Sequence, residues 1–156
     1  MSKLLEYAQK GVILDPTKTK ILASGYTESK YLPKKLIGKT CLPGGRITVG
    51  SQPNESFITE VRKETGITIT PLLPFYTWTW IYEKDGKEKQ IVASARLALY
   101  EGGEISEPGT EEETSLRKAK WIDIADVEDE FKNWVFDEVP ALEKFLEYRE
   151  NNPFVV

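Results

Sequence analysis

The sequence predicts one α/β (α+β) domain in which a mixed β-sheet is sandwiched between α-helices. Short strand-like runs rich in Val, Ile and Leu alternate with two amphipathic helical patterns, which is typical of a layered fold. The chain has 156 residues, of which 40% are hydrophobic and 29% charged. Because this size and composition suit one hydrophobic core, residues 1–156 are expected to form a single domain.

The first predicted elements are two strands that form a hairpin. Residues 11–15 and 20–24 are apolar runs, and residues 15–19 between them contain the turn-forming pair Asp15-Pro16. Residues 25–39 are polar and basic, which indicates a connecting loop. A further short strand is expected at residues 40–42.

A helix is expected after the glycines at positions 44 and 45. Residues 51–55 contain a capping residue, an early proline and an acidic first turn, and Phe57 and Val61 follow at helical spacing. Gly66 is expected to end this helix as a C-cap.

Residues 75–82 and 90–100 resemble a long antiparallel pair joined by a turn at Asp85-Gly86. Strand alternation places four aromatic residues on one face: Tyr76, Trp78, Trp80 and Tyr82. Such a face either packs against the core or stacks on a nucleobase, and the core interpretation is favoured because aromatic side chains bury large areas.

The last third of the chain begins with an acidic loop at residues 102–116 and a strand at residues 119–124. From Asp126 onwards apolar residues recur at helical spacing, which predicts a C-terminal amphipathic helix interrupted once, at Pro140.

Composition excludes several functional classes. The chain has no histidine and one cysteine, Cys41, so imidazole-based catalysis and a zinc site built from cysteines are excluded. Any bound metal must then have oxygen ligands, which favours magnesium, manganese or calcium. A net charge of -4 argues against binding to duplex nucleic acid. No run suits a membrane span or a signal peptide, so a cytoplasmic protein is expected.

Residues 45–67 resemble the Nudix box, G-x5-E-x7-R-E-U-x-E-E-x-G-U, where U is aliphatic. Gly45, Glu60, Val61, Glu64 and the pair Gly66-Ile67 occupy the matching positions at the correct spacing. Three flanking segments also resemble the family: Leu42-Pro43-Gly44, residues 95–104 and residues 118–122. The sequence is therefore similar to the MutT-like Nudix hydrolases over most of its length.

Three charged residues of the motif are replaced. Ser51, Thr59 and Lys63 stand where the motif has glutamate, arginine and glutamate. Glu60, Lys63 and Glu64 lie within one turn and share a helix face. The Lys63 ammonium would compete with a cation for Glu60 and weaken metal binding, or it would contact a phosphate in partial replacement of a second metal. Arg62 faces elsewhere and does not replace the missing arginine.

The resemblance implies roles for particular residues. Glu60 and Glu64 would hold Mg²⁺ or Mn²⁺ and take part in catalysis together with Glu112, one of three consecutive glutamates whose individual orientation the sequence leaves open. The implied substrate-binding residues are Gly44, Gly45, Arg46 and Arg96. The other two members of the acidic triplet are Glu111 and Glu113.

The sequence leaves two main functions open. The first is a metal-dependent hydrolase that cleaves the pyrophosphate of a nucleoside diphosphate linked to another group. The second is a Nudix-like protein that binds a nucleotide or another phosphorylated ligand and does little or no chemistry. A scaffold unrelated to the family is a weaker third alternative, and formation of a homodimer is left open.

Overall fold

A computed structural model of the chain describes residues 4–28, 32–109 and 115–152. In these ranges seven strands form a mixed sheet with the order β3-β2-β1-β6-β5, while β4 pairs with β1 and β7 pairs with β2. The strands are β1 (Leu4–Leu14), β2 (Lys20–Gly25), β3 (Thr40–Cys41), β4 (Gly44–Arg46), β5 (Ile67–Lys84), β6 (Lys87–Gly103) and β7 (Lys120–Asp123). The helices are α1 (Pro53–Thr65), α2 (Ile124–Val127) and α3 (Val139–Asn151).

The sheet lies between helices, as predicted. On one face Phe57 and Val61 of α1 pack with Ile13 and Leu22. On the other face α3 contributes Leu142 and Phe145 to a cluster that includes Val12, Leu14 and Trp134. Strands β1 and β6 are parallel over the whole length of β1. Because β1 is the central strand, it contributes side chains to both layers of the core.

The hairpin between β1 and β2 is closed by Asp15, as the turn sequence predicts. One carboxylate oxygen of Asp15 accepts hydrogen bonds from the N–H groups of Thr19 and Lys20, each at 2.9 Å, and the other accepts from the Thr17 hydroxyl at 2.7 Å. Burial alone would raise the pKa of Asp15, but these hydrogen bonds outweigh it and lower the pKa. The ionised carboxylate is therefore part of the folded turn.

Asp15→Asn is expected to destabilise the protein by about 1–2 kcal/mol at pH 7, because hydrogen bonds to a charged acceptor are lost. Since folding lowers the pKa of Asp15, its contribution is present above the unfolded pKa and is lost as the pH falls through the folded value. Urea unfolding of wild type and variant should therefore show a gap at pH 7 that narrows below about pH 4.

The matched control is Asp123→Asn, which removes an exposed carboxylate that pairs with Lys20 at 3.0 Å. Its cost should stay below about 1 kcal/mol, as for other surface ion pairs. A gap for Asp15→Asn that is equally wide at pH 3 and pH 7 would contradict the charged role of this turn residue.

Strands β1 and β5 extend furthest beyond their predicted limits, and β6 is longer than predicted by three residues at each end. The predicted strand at residues 11–15 begins at Leu4 in the structure, and β5 starts immediately after Gly66 rather than near residue 75. Pro71 and Pro74 lie inside β5, where the pairing with β6 shifts register. They are tolerated because β5 is an edge strand, on which a missing N–H faces no neighbouring strand.

The aromatic face of β5 is half-buried rather than fully exposed. Its tryptophans and Tyr82 pack against a small cluster formed by Ala8, Ile91 and Ala93. The ring centroids of Tyr76 and Trp78 are 5.8 Å apart, and those of Trp78 and Trp80 are 6.4 Å apart. The rings thus cover small residues of the neighbouring strands, which agrees with the packing interpretation.

The prediction of a single C-terminal helix is wrong for the first half of that segment. Helix α2 has only four residues and is followed by 3-10 turns at Glu128–Asn133 and Phe136–Glu138 before α3 begins. Between the two turns the chain is extended, and the Val135 N–H donates to the Thr40 carbonyl at 2.8 Å. This contact with β3 replaces a helical turn. Pro140 lies in the first turn of α3, where it fits rather than interrupts.

No helix in the described ranges is both long and apolar enough to cross a bilayer.

Candidate active site

A cleft lies between strands β1 and β4 and helix α1. Its volume is about 420 Å³, which is in the range of small-molecule sites. Its walls come from β1, β3, β4, α1 and the segment after residue 114. The lining residues are Lys10, Tyr26, Cys41, Leu42, Gly44, Gly45, Arg46, Thr48, Glu60, Glu64, Ser115 and Leu116. Five of the residues predicted from the sequence to form a site are among them.

Helix α1 presents Glu60 and Glu64 to this cleft. The helix runs from Pro53 to Thr65 and is followed by Gly66, whose φ of 82° is left-handed, as the C-cap prediction requires. The residue before the helix is Gln52, whose side chain makes no capping hydrogen bond. The hydroxyl of Ser56 instead accepts from the Thr48 N–H at 3.1 Å and ties the helix to the preceding loop.

Gly44 and Gly45 of β4 bring backbone next to both glutamates. The Gly44 N–H donates to a carboxylate oxygen of Glu64 at 3.0 Å. A Cβ at Gly44 would lie 1.9 Å from the Gln9 carbonyl oxygen, and one at Gly45 would lie 2.9 Å from a Glu60 carboxylate oxygen. Only glycine therefore allows β4 to pass between β1 and α1 with the carboxylates in these positions.

Lys63 approaches Glu60, as the sequence spacing predicts. Its ammonium nitrogen lies 3.7 Å from a Glu60 carboxylate oxygen, and the Lys63 side chain is 42% exposed. An ion pair this exposed is weak, since solvent screens it. Lys63 thus reduces the negative charge felt at Glu60 without filling the cleft. Ser51 is partly buried and Thr59 is exposed, and neither lines the cleft.

Arg46 lies at the mouth of the cleft. Its guanidinium pairs with Glu6 at 3.0 Å and donates to the hydroxyl of Tyr82 while lying over that ring. These contacts hold a positive charge beside Gly44 and Gly45 of β4.

The structure places Arg96 away from the cleft lining. Its guanidinium donates to the Leu72 carbonyl at 2.8 and 3.1 Å and to the Gln9 side-chain oxygen at 2.8 Å. It also lies over the ring of Phe57. These contacts join three strands and α1, so its visible role is structural. Glu111, Glu112 and Glu113 lie outside the described residues.

Sequence reasoning missed three further residues that line the cleft: Lys10, Tyr26 and Cys41. Burial alone would lower the pKa of Lys10, but the surrounding acidic groups, Tyr26 and Glu138 among them, keep it well above its ordinary value. Lys10 is therefore a cation at neutral pH. A signal existed in the sequence, since Lys10 is the charged residue immediately before the apolar run at residues 11–14.

Burial raises the pKa of Cys41, which is a buried free cysteine. Lys10 favours the phenolate of Tyr26, but burial and neighbouring acidic groups outweigh this effect, and the pKa of Tyr26 is raised as well. Neither residue is a nucleophile at neutral pH, because both stay protonated.

The described residues contain no cluster of three or more His, Cys, Asp and Glu side chains suited to a metal. Glu60 and Glu64 nevertheless fit magnesium, which takes few protein ligands and keeps waters or substrate oxygens in its other positions. Both residues line the same cleft, and the Gly44 N–H orients the carboxylate of Glu64. Ser115, two residues after Glu113 in the sequence, lines the same cleft.

A comparison with protein families matches residues 11–145 to the NUDIX domain, and the chain belongs to this family. No functionally curated protein matches it.

Solved structures with similar folds are MutT-like Nudix hydrolases. A NUDIX hydrolase from Nitrosomonas europaea has a TM-score of 0.68 at 15% identity, covering 91% of this chain and 88% of that one. A MutT NUDIX hydrolase from Burkholderia pseudomallei has a TM-score of 0.66 at 20% identity, with 90% and 97% covered. The MutT protein from Methanosarcina mazei has a TM-score of 0.62 at 19% identity, with 97% and 98% covered. At these identities the similarity concerns the fold.

Proposed function

We propose that this protein is a cytoplasmic, metal-dependent Nudix hydrolase that cleaves the pyrophosphate bond of a nucleoside diphosphate linked to another group. The observation that carries the proposal is the placement of Glu60 and Glu64 in one cleft beside Gly44 and Gly45 of β4. Nudix hydrolases generally use divalent metals such as Mg²⁺ or Mn²⁺. Glu60 and Glu64 would hold such an ion here, and when bound it would neutralise charge on the phosphate oxygens.

The residues of the chain itself supply positioning and charge. Gly44 and Gly45 line the cleft and would let a phosphate chain lie against the backbone, and Arg46 offers a guanidinium at the mouth of the cleft. One of Glu111, Glu112 and Glu113 is proposed as the base that accepts a proton from the attacking water, with Glu112 as the first choice. Ser115 in the cleft lining supports this choice of segment.

The direct test incubates the protein with a panel of nucleoside diphosphate derivatives and Mn²⁺ or Mg²⁺, and identifies products by mass spectrometry. Release of a nucleoside monophosphate from at least one derivative is expected, and only with metal present. Metal-independent turnover would contradict the proposed role of the glutamates.

A second candidate function is a binding protein for a nucleotide or another phosphorylated ligand. It is favoured by one contact, the approach of the Lys63 ammonium to Glu60 at 3.7 Å. Saturable binding of nucleotides without turnover, at any metal concentration, would select this alternative.

Lys63→Glu is expected to tighten Mn²⁺ binding by about tenfold, because it removes a screened repulsion and adds a possible ligand. Hydrolysis should rise in parallel. Isothermal titration calorimetry measures the affinity. The control is Arg62→Glu, which makes the same charge change at an exposed neighbouring residue that does not line the cleft. Equal effects of the two variants, or none for Lys63→Glu, would contradict the interpretation of Lys63 as a weakening substitution.

A further inference from the structure

The cleft also contains a buried cation, Lys10. Lys10 lies on β1 directly opposite Gly44 of β4 in the strand register. Its ammonium donates to the Leu42 carbonyl at 3.2 Å, and its side chain is only 13% exposed. Because Lys10 lines the cleft, that small exposed part faces the cleft.

Glu138 holds this cation in place from the other side. Glu138 ends the 3-10 turn before α3 and is 3% exposed. One of its carboxylate oxygens accepts from the Leu42 N–H at 2.6 Å, and the other lies 3.8 Å from the Lys10 ammonium. The N–H and the carbonyl of Leu42 are thus bound by the two members of one ion pair. This arrangement fixes the position of Lys10 relative to Gly44 and Gly45 of β4.

Stability alone does not explain a buried pair at this place. Removing two charges from water is costly, and apolar replacements of a buried pair are often neutral or stabilising. The ammonium has three N–H donors, of which one serves the Leu42 carbonyl and one points towards Glu138 at a distance longer than a hydrogen bond. A donor therefore remains for a group in the cleft.

The charges around the cleft indicate what that group is. Two carboxylates lie on α1, while Lys10 and Arg46 lie along β1 and β4. An anion with several oxygens that lies next to β4 would contact the cations Lys10 and Arg46. We propose that Lys10 binds a phosphate oxygen of the ligand and that Glu138 is its positioning residue. The proposal rests on the proposed function in one respect, that the cleft receives a phosphorylated compound.

The test uses inorganic pyrophosphate without metal, so that the α1 carboxylates do not mediate binding. Calorimetry should show about tenfold or greater weakening for Lys10→Met, while Lys10→Arg should retain most of the affinity. Lys20→Met is the control, because the exposed Lys20 ammonium pairs with Asp123 on another part of the surface. It should leave binding unchanged.

The double variant Lys10→Met/Glu138→Gln guards against misfolding, since it buries no unpaired charge. It should melt near the wild-type temperature and still bind pyrophosphate about tenfold more weakly. Glu138→Gln alone keeps an acceptor for the Leu42 N–H and should weaken binding less than Lys10→Met. A purely structural role of Glu138 predicts no change in affinity once folding is intact.

In the wild type, the NMR resonance of the Lys10 ammonium should shift when pyrophosphate is added.

Wild-type affinity in the folded double variant, or no pyrophosphate binding by the wild type, would overturn the proposal. Either is distinguishable from failure of the hydrolase proposal, which would appear as absent metal-dependent turnover even though pyrophosphate binding still depends on Lys10. Conversely, turnover that depends on Glu60 and Glu64 but not on Lys10 would refute only the Lys10 proposal.

Discussion

Glu64→Gln should reduce metal-dependent hydrolysis by about a hundredfold to a thousandfold while leaving the protein folded. The amide oxygen of glutamine still accepts from the Gly44 N–H, which the carboxylate accepts at 3.0 Å in the structure. The variant loses the negative charge that would hold the cation, and metal stabilisation of phosphoryl chemistry is worth several kcal/mol. Glu60→Gln is expected to act similarly. Steady-state kcat/KM with Mn²⁺, together with calorimetric Mn²⁺ affinity, measures both effects.

Glu55→Gln provides the matched control on the same helix. Glu55 lies in the exposed first turn of α1 and does not line the cleft, so the same chemical change should leave kcat/KM within about twofold. Retention of full metal-dependent turnover by both Glu60→Gln and Glu64→Gln would place the metal elsewhere. Loss of turnover in Glu55→Gln as well would indicate a general effect of charge on the helix.

Trp134→Ala should destabilise the protein by about 3–5 kcal/mol, the usual cost of removing a large buried aromatic side chain. Trp134 is 1% exposed and belongs to the cluster that joins α3 to the sheet. Its backbone also forms a bridge with Thr40 of β3. Urea unfolding, followed by circular dichroism, measures the loss. Trp134→Phe should cost much less, because the indole N–H that it removes is buried without a hydrogen-bond partner.

The control for this prediction lies two residues away. Phe136 is 68% exposed and contacts the ammonium of Lys35 over its ring. Phe136→Ala should therefore cost less than about 1 kcal/mol. Equal destabilisation by Trp134→Ala and Phe136→Ala would contradict the described packing of the α3 layer.

Local signals in the sequence were sufficient for half of the candidate site. Proline at the start of α1, glycine at its end and apolar residues at helical spacing are short-range features, so the helix and the shared face of Glu60 and Glu64 follow from residues within one segment. The same reasoning located the Asp15 turn and the Asp85-Gly86 hairpin. It missed the first part of β5, residues 67–74, because prolines suggest a loop unless the strand is known to lie at an edge.

By itself, the sequence determined the family, the layered fold and one wall of the cleft, because motif spacing and periodicity are properties of adjacent residues. Only the tertiary structure decided that Lys10 and Glu138, from opposite ends of the chain, meet around Leu42. It also directed Arg96 into contacts between strands instead of the cleft. These outcomes depend on which strands pair and on which helix covers each face, and such long-range contacts leave no periodic trace along the chain.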